Sequence, residues 1–173
     1  YVYIRRSIGI LKKQMKQKLF NLAVGELVAV MVFWINFFVF KKLIIDIGSL
    51  LSISFSLFIL SFILVQGFLF WCILIKRISK PMFAVKFTGK VYHVLKVLDL
   101  ILLCIGFAIV IANHSKSFAT IISFAIWGFA VIEWINYYKV QLSYSLNPTV
   151  LFKYILQGEL RKSRIAKEID KSL

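Results

Sequence analysis

The sequence predicts an all-α, polytopic membrane protein whose four transmembrane helices form a compact bundle. Hydrophobic residues make up 61% of the 173-residue chain and charged residues only 17%, whereas a soluble domain is roughly half apolar with about a quarter of its residues charged. The apolar residues gather in four runs of the length that a helix needs to cross a bilayer. Basic residues gather between these runs. A soluble globular domain is therefore excluded.

The predicted membrane domain covers residues 19–144. Its four spans are residues 19–40, 50–75, 97–112 and 118–138. The third span is short, about 24 Å at the helical rise of 1.5 Å per residue, so it needs residues from Val91 onward to cross the bilayer. Spans one and two, and spans three and four, are joined by short connections, which makes neighbouring helices antiparallel.

A stripe of small residues predicts close packing of the second span. Gly48, Ser52 and Ser56 recur every four residues, and Gly67 follows eleven residues later on the same helical face. Small residues at such spacing let another membrane helix approach closely. We therefore expect the second span to contact its neighbours along this stripe.

The distribution of basic residues predicts the orientation. Nineteen of the 22 Lys and Arg residues lie in a basic arm (residues 1–18), in the connection 76–96, or after the fourth span, which leads into a C-terminal tail (residues 145–173). Lys41, Lys42 and Lys116 are the three on the other side. Because basic loops remain in the cytoplasm, both termini are predicted to be cytoplasmic.

These basic segments also predict contact with anionic lipid. The arm is expected to form a surface helix from about Ile8, and a second amphipathic helix is expected to begin at Pro81. The predicted lipid-contacting residues are Arg5, Arg6, Lys12, Lys13, Lys76, Arg77, Lys86 and Lys90. The net charge of +15 would indicate nucleic acid in a soluble protein. Here an anionic membrane is the expected partner, together with a protein partner or a second copy of the chain.

In the tail, Asn147-Pro148 predicts the start of an apolar helix that ends at Gly158. The charged remainder is expected to be a surface helix or a frayed end.

Familiar catalytic motifs are absent from the sequence, so we expect no enzyme, no cofactor and no metal site. There is no GxxxxGK[ST], HExxH, GxSxG or paired CxxC sequence. Cys72 and Cys104 lie in separate apolar runs, and His93 and His114 lie on opposite sides of the predicted membrane. A lipid-modifying enzyme that uses Asp99 and His93 is the weakest alternative.

Polar residues within the spans form the candidate site, because burying a charge in lipid is costly. They lie at similar depths in the cytoplasmic half: Glu26, Gln66, Asp99, Glu133, Asn136 and Tyr137. One interpretation is a proton or cation site with Glu26 and Glu133 as carboxylates and Gln66 and Asn136 as amide partners.

The alternative interpretation is structural. Asp99 and Glu133 would then reach water or pair with Lys96 and Lys139, and Glu26 would bind a neighbouring helix. A cytoplasmic aromatic belt is predicted from Trp71, Tyr92, Trp134, Tyr137, Tyr138 and Tyr144.

The segments Glu133-Trp-Ile-Asn-Tyr-Tyr, Gln141-Leu-Ser-Tyr, Lys162-Ser163 and Ile165-Ala-Lys-Glu-Ile169 resemble the C-terminal part of small uncharacterised membrane proteins of low-GC Gram-positive bacteria. The resemblance covers about a quarter of the chain and implies no activity. Seventeen Lys against five Arg agree with an AT-rich genome. Four spans with a glutamate in the first also resemble small multidrug transporters at the level of the fold.

The sequence therefore predicts a multi-pass protein of the bacterial plasma membrane, without enzymatic activity. It would serve as an accessory or regulatory component that binds anionic lipid or a protein partner through its basic cytoplasmic face. The alternative is a small oligomeric transporter or channel, coupled to protons or cations, that uses Glu26 and Glu133.

Overall fold

The computed structural model describes residues 2–43, 46–114, 118–140 and 162–172, with side chains from residue 9 onward except at positions 43 and 86. These residues form five α-helices: α1 (Val2–Phe40), α2 (Ile47–Ser79), α3 (Val85–Ala112), α4 (Phe118–Tyr138) and α5 (Arg164–Asp170). A 3₁₀ turn, Lys41–Leu43, follows α1. Helices α1 to α4 are long and apolar enough to cross a membrane. The prediction of an all-α fold with four membrane-spanning helices is confirmed at this level.

Helix α2 is the central helix and packs against α1, α3 and α4. Three residues of its small-residue stripe, Ser52, Ser56 and Gly67, are buried, and the stripe contacts two neighbouring helices, as expected from its spacing. A methyl group at Gly48 would lie 2.7 Å from Oδ1 of Asn113, which caps the C-terminus of α3, and one at Gly67 would clash with the Tyr137 ring on α4. Small side chains thus bring the backbone of α2 close to two helices at once.

Helix α1 lies at the edge of the bundle and packs mainly on α2, where Trp34 Nε1 donates a 2.9 Å hydrogen bond to Ser61 Oγ. Many of its apolar side chains, such as Met31 and Ile35, face outward. The helix begins at Val2, so the arm and the first span form one continuous helix with no boundary near residue 18. At 39 residues it is about 58 Å long, well beyond the hydrocarbon thickness of roughly 30 Å.

The connection 76–96 differs from its prediction. Helix α2 continues to Ser79 and α3 begins at Val85, so no separate amphipathic helix exists and Pro81 lies in the turn between them. Arg77 holds this turn: its Nε donates to the Phe83 carbonyl at 3.0 Å. The sequence from Val85 onward is amphipathic because it forms the first turns of the third spanning helix, and the prediction mistook these turns for a separate helix.

Over residues 162–172 the C-terminal segment forms a short helix with exposed charged side chains, in line with the predicted surface helix, but its apolar face is docked on the bundle. Ile165 and Ile169 of α5 are buried in the core, and α5 packs on α3 and α4. Ser163 caps the helix, accepting from the Ala166 amide at 3.0 Å while its hydroxyl donates to the Tyr137 carbonyl. The helix predicted after Asn147-Pro148 lies outside the described residues.

The antiparallel arrangement gives the bundle two distinct ends. We call the end that carries Lys16, Lys76, Lys139 and α5 the basic end. The opposite end carries Lys41, Asp46 and Asn113. Asp46 caps α2 there, accepting from the Ser49 amide at 2.7 Å, and this hydrogen bond holds the pKa of Asp46 below its ordinary value.

Candidate functional site

The six predicted intramembrane residues separate into two clusters in the half of the bundle nearer the basic end. Gln66 and Asp99 belong to an inner cluster, which also contains Tyr92 and Tyr138. Glu26, Glu133, Asn136 and Tyr137 belong to an outer cluster with Trp71. The predicted partnership of Gln66 with the two glutamates is therefore not formed.

Gln66 is the centre of the inner cluster. Its Nε2 donates to Asp99 Oδ1 at 2.8 Å, and its Oε1 accepts from the Tyr138 hydroxyl at 2.5 Å. The Tyr92 hydroxyl donates to the Gln66 backbone carbonyl at 2.8 Å. One residue of α2 thus joins α3 and α4 inside the bundle, where hydrogen bonds between helices replace contacts with water.

Asp99 neither reaches water nor pairs with Lys96, as the structural interpretation of the sequence predicted it would. The residue is 0% exposed, and within the described residues it forms no ion pair with Lys96. Its Oδ1 is bonded to Gln66, whereas Oδ2 has no hydrogen-bond partner among those residues. The reason is the rotation of α3, which turns this face toward α2 although the residue is only three positions from a lysine.

The outer cluster brings together carboxylates from α1 and α4. Glu26 lies within electrostatic range of Glu133, next to the Tyr137 hydroxyl and the Trp71 indole. Asn136 Nδ2 donates to Glu133 Oε2 at 3.2 Å. Tyr137 Oη and Trp71 Nε1 are buried, and neither makes a direct hydrogen bond within the described part of the chain. Two acceptors and two donors thus meet where α1, α2 and α4 converge.

Helix α5 covers this convergence. A cavity of about 30 Å³ lies between Trp71 and Tyr137 on one side and Ser163 to Ile165 on the other. The Arg164 guanidinium lies 5.8 Å from the centre of the Trp71 ring. A cavity of this size accommodates about one water molecule.

The predicted aromatic belt is wrong for four of its members. Tyr92, Trp134, Tyr137 and Tyr138 are buried in the core. Their polar atoms are largely used inside the bundle; Trp134 Nε1, for example, donates to the Lys96 carbonyl at 3.2 Å. Aromatic residues with a polar tip suit an interior that offers such partners as well as they suit an interface. Tyr144 lies outside the described residues.

The predicted lipid-contacting residues differ in their exposure. Lys12, Lys13, Lys76 and Lys90 are exposed. Arg77 is turned inward, where NH1 lies 2.7 Å from Glu168 Oε2 and NH2 donates to Thr88 Oγ1 at 2.8 Å. The side chains of Arg5, Arg6 and Lys86 lie outside the described part of the structure.

A cavity at the basic end brings three lysines together. Only Lys76 is among the residues predicted from the sequence to contact lipid; Lys16 and Lys80 are not. Lys16 of α1, Lys76 of α2 and Lys80 of the following turn line a space of about 240 Å³ together with Ile75, Ser79 and Phe83. Lys76 Nζ lies 5.0 Å from the centre of the Phe83 ring. We call this space the three-lysine cavity. Sequence spacing could not reveal it because Lys16 is 60 positions away from Lys76.

The opposite half contains a larger, apolar groove of about 830 Å³. Phe33 and Phe37 of α1, Ile53 of α2 and Ile122 of α4 are among the residues that line it. It forms because α1 packs mainly on α2, which leaves a gap between α1 and α4.

In the described ranges, no three His, Cys, Asp or Glu side chains lie close enough together to hold a metal ion. Cys72 and Cys104 are both free thiols. Comparison with protein-family models, with curated proteins and with solved structures finds no match to this chain.

Proposed function

We propose that this chain is a non-enzymatic protein of the bacterial plasma membrane, with both termini in the cytoplasm, and that its basic end binds anionic phospholipid. Its role is then that of an accessory or regulatory component. The observation that carries this proposal is the unneutralised charge at the basic end.

The few acids described at this end are already paired. Glu168 contacts Arg77 at 2.7 Å and Lys171 at 3.9 Å, and Asp170 contacts Lys162 at 2.8 Å. The exposed lysines of the basic end that make no ion pair within the described residues are Lys12, Lys13, Lys16, Lys18, Lys76, Lys80, Lys90, Lys139 and Lys167. Each basic residue near an anionic membrane surface contributes about 1 kcal/mol of attraction.

Orientation follows from the same charges. Since a basic end of this kind remains on the cytoplasmic side during insertion, it faces the leaflet surface that carries a negative potential. An acidic protein partner would use the same surface.

Lipid analysis of the purified protein tests this proposal. We expect anionic phospholipids to be enriched among lipids that copurify in a mild detergent, relative to the source membrane, and to be lost progressively as salt is raised. Copurified lipid with the same composition as the membrane would contradict the proposal. A stable complex with another protein, detected by native mass spectrometry, would identify the regulated partner.

The outer cluster supports a second candidate function, proton- or cation-coupled transport. Two carboxylates from different helices lie within electrostatic range of each other, beside two buried donors, an arrangement that can hold a proton or a small cation. Four spans rarely enclose a path, so this function requires a second copy of the chain.

Flux measurements in reconstituted vesicles test the transport candidate. We expect Glu26→Gln and Glu133→Gln to abolish ion-gradient-driven flux at normal expression, with Asp46→Asn at the opposite end as the control. Unchanged flux, or none in the wild type, would leave the two glutamates as packing groups.

A further inference from the structure

We propose that the three-lysine cavity is a binding site for the phosphate group of one anionic glycerophospholipid. This inference rests on the proposed function and gives it a location. It distinguishes a defined site from attraction spread over the whole basic end.

Three segments of the chain converge on the cavity. Lys16 comes from α1, Lys76 and Ser79 come from the last turn of α2, and Lys80 comes from the turn that follows. All three lysines are exposed, so their ammonium groups are accessible. A volume of about 240 Å³ is somewhat below that of pockets for drug-sized ligands, and it suits a headgroup rather than a whole lipid.

The charge inside the cavity favours an anion. No carboxylate is among its lining residues within the described part of the chain. Glu168, the acid near this turn, is held by Arg77 on another face of α2. Three ammonium groups and the Ser79 hydroxyl together offer many hydrogen-bond donors, and lysine binds phosphate as a mobile point charge.

The apolar side of the cavity favours a lipid over a soluble anion. Ile75 and Phe83 line it next to the lysines. Phe20 lies one helical turn beyond Lys16 on the same face of α1, and 58% of its surface is exposed. A phosphate held by the lysines would therefore place its acyl chains along the outward, apolar face of α1, in the direction of the bilayer core.

Native mass spectrometry in neutral detergent tests the site. The probe is phosphatidylglycerol, titrated into the full-length protein, and the readout is the first bound lipid. The test variant is Lys16→Gln, Lys76→Gln, Lys80→Gln. The control removes the same charge elsewhere on the basic end: Lys90→Gln, Lys139→Gln, Lys167→Gln. We expect the test variant to weaken the first binding step on the order of a hundredfold. The control should weaken it by no more than about tenfold, because in neutral detergent its three lysines act on the lipid only through screened long-range attraction.

Equal weakening by the two variants would overturn the site while leaving the proposed function intact, because diffuse charge would then account for the binding. Absence of anionic lipid binding by the wild type would overturn both. Replacing the three cavity lysines by arginine should retain binding, which shows that loss in the test variant reflects charge and not misfolding. Inorganic phosphate should fail to displace the lipid; displacement at stoichiometric phosphate would overturn the assignment to a lipid.

Discussion

Gln66 donates its side-chain amide to Asp99 at 2.8 Å and thereby joins α2 to α3 through two side chains that water does not reach. The same glutamine accepts from Tyr138 of α4. A buried polar group is costly unless it is hydrogen-bonded. These two residues therefore act together, and each makes the presence of the other in an apolar bundle tolerable.

Two substitutions of Asp99 should show how much its hydrogen bond to Gln66 contributes to the free energy of unfolding. Asp99→Leu leaves Gln66 Nε2 buried without an acceptor, so we expect it to lower the free energy of unfolding by about 1–2 kcal/mol. Asp99→Asn retains the acceptor oxygen and should cost less than about 1 kcal/mol. Thermal unfolding in detergent measures both. Equal midpoints for the two variants would show that the hydrogen bond to Gln66 does not stabilise the bundle.

Arg77 should control the docking of α5. The residue links the end of α2 to Glu168 and to two carbonyls of the following turn, and it is mostly buried. Arg77→Gln should therefore release α5 and cost about 2 kcal/mol or more, because it also leaves Glu168 without its main partner. Hydrogen exchange of residues 164–170 should accelerate.

Two further variants sharpen this prediction. Lys162→Gln breaks the exposed pair with Asp170 and should change exchange little, since exposed ion pairs are weak. Arg77→Lys should fail to restore protection, because lysine lacks the planar fork that reaches several acceptors. Full protection in Arg77→Gln would show that apolar contacts of Ile165 and Ile169 alone hold the helix.

Gly67→Ala should disturb the contact between α2 and α4. The added methyl group would overlap Tyr137, which is packed and cannot move freely. We expect a loss of about 1–3 kcal/mol. Gly128→Ala is the matched control, because a methyl group there meets no atom within 4 Å, and it should be neutral or slightly stabilising. Similar unfolding temperatures for both variants would contradict the close approach at Gly67.

Cysteine labelling tests the orientation in intact cells. In a background without Cys72 and Cys104, His114→Cys at the opposite end should react with a membrane-impermeant maleimide. Lys90→Cys at the basic end should react only after the cells are broken. Both positions are exposed, so accessibility within the fold does not limit the reaction. The reverse pattern would place the basic end outside and remove the basis for cytoplasmic lipid binding.

Local features of the sequence were sufficient for the architecture. The length of each apolar run predicts four spanning helices, because a helix needs about 20 such residues to cross the bilayer. The spacing of Gly48, Ser52 and Gly67 likewise predicts the buried face of α2, because residues four apart share one side of a helix. Both properties depend on neighbours in the chain and not on the rest of the fold.

The tertiary structure decided which polar groups meet. Gln66, Glu26 and Asp99 lie at comparable depths in their spans, so depth alone allowed either acid as the partner of the glutamine. The rotation of each helix about its axis selects Asp99, and that rotation results from side-chain packing along whole interfaces. The same long-range packing places Lys16 and Lys80 in one cavity and docks α5 over Trp71. The sequence alone determined the four apolar spanning helices, whereas packing between distant elements created both clusters and the three-lysine cavity.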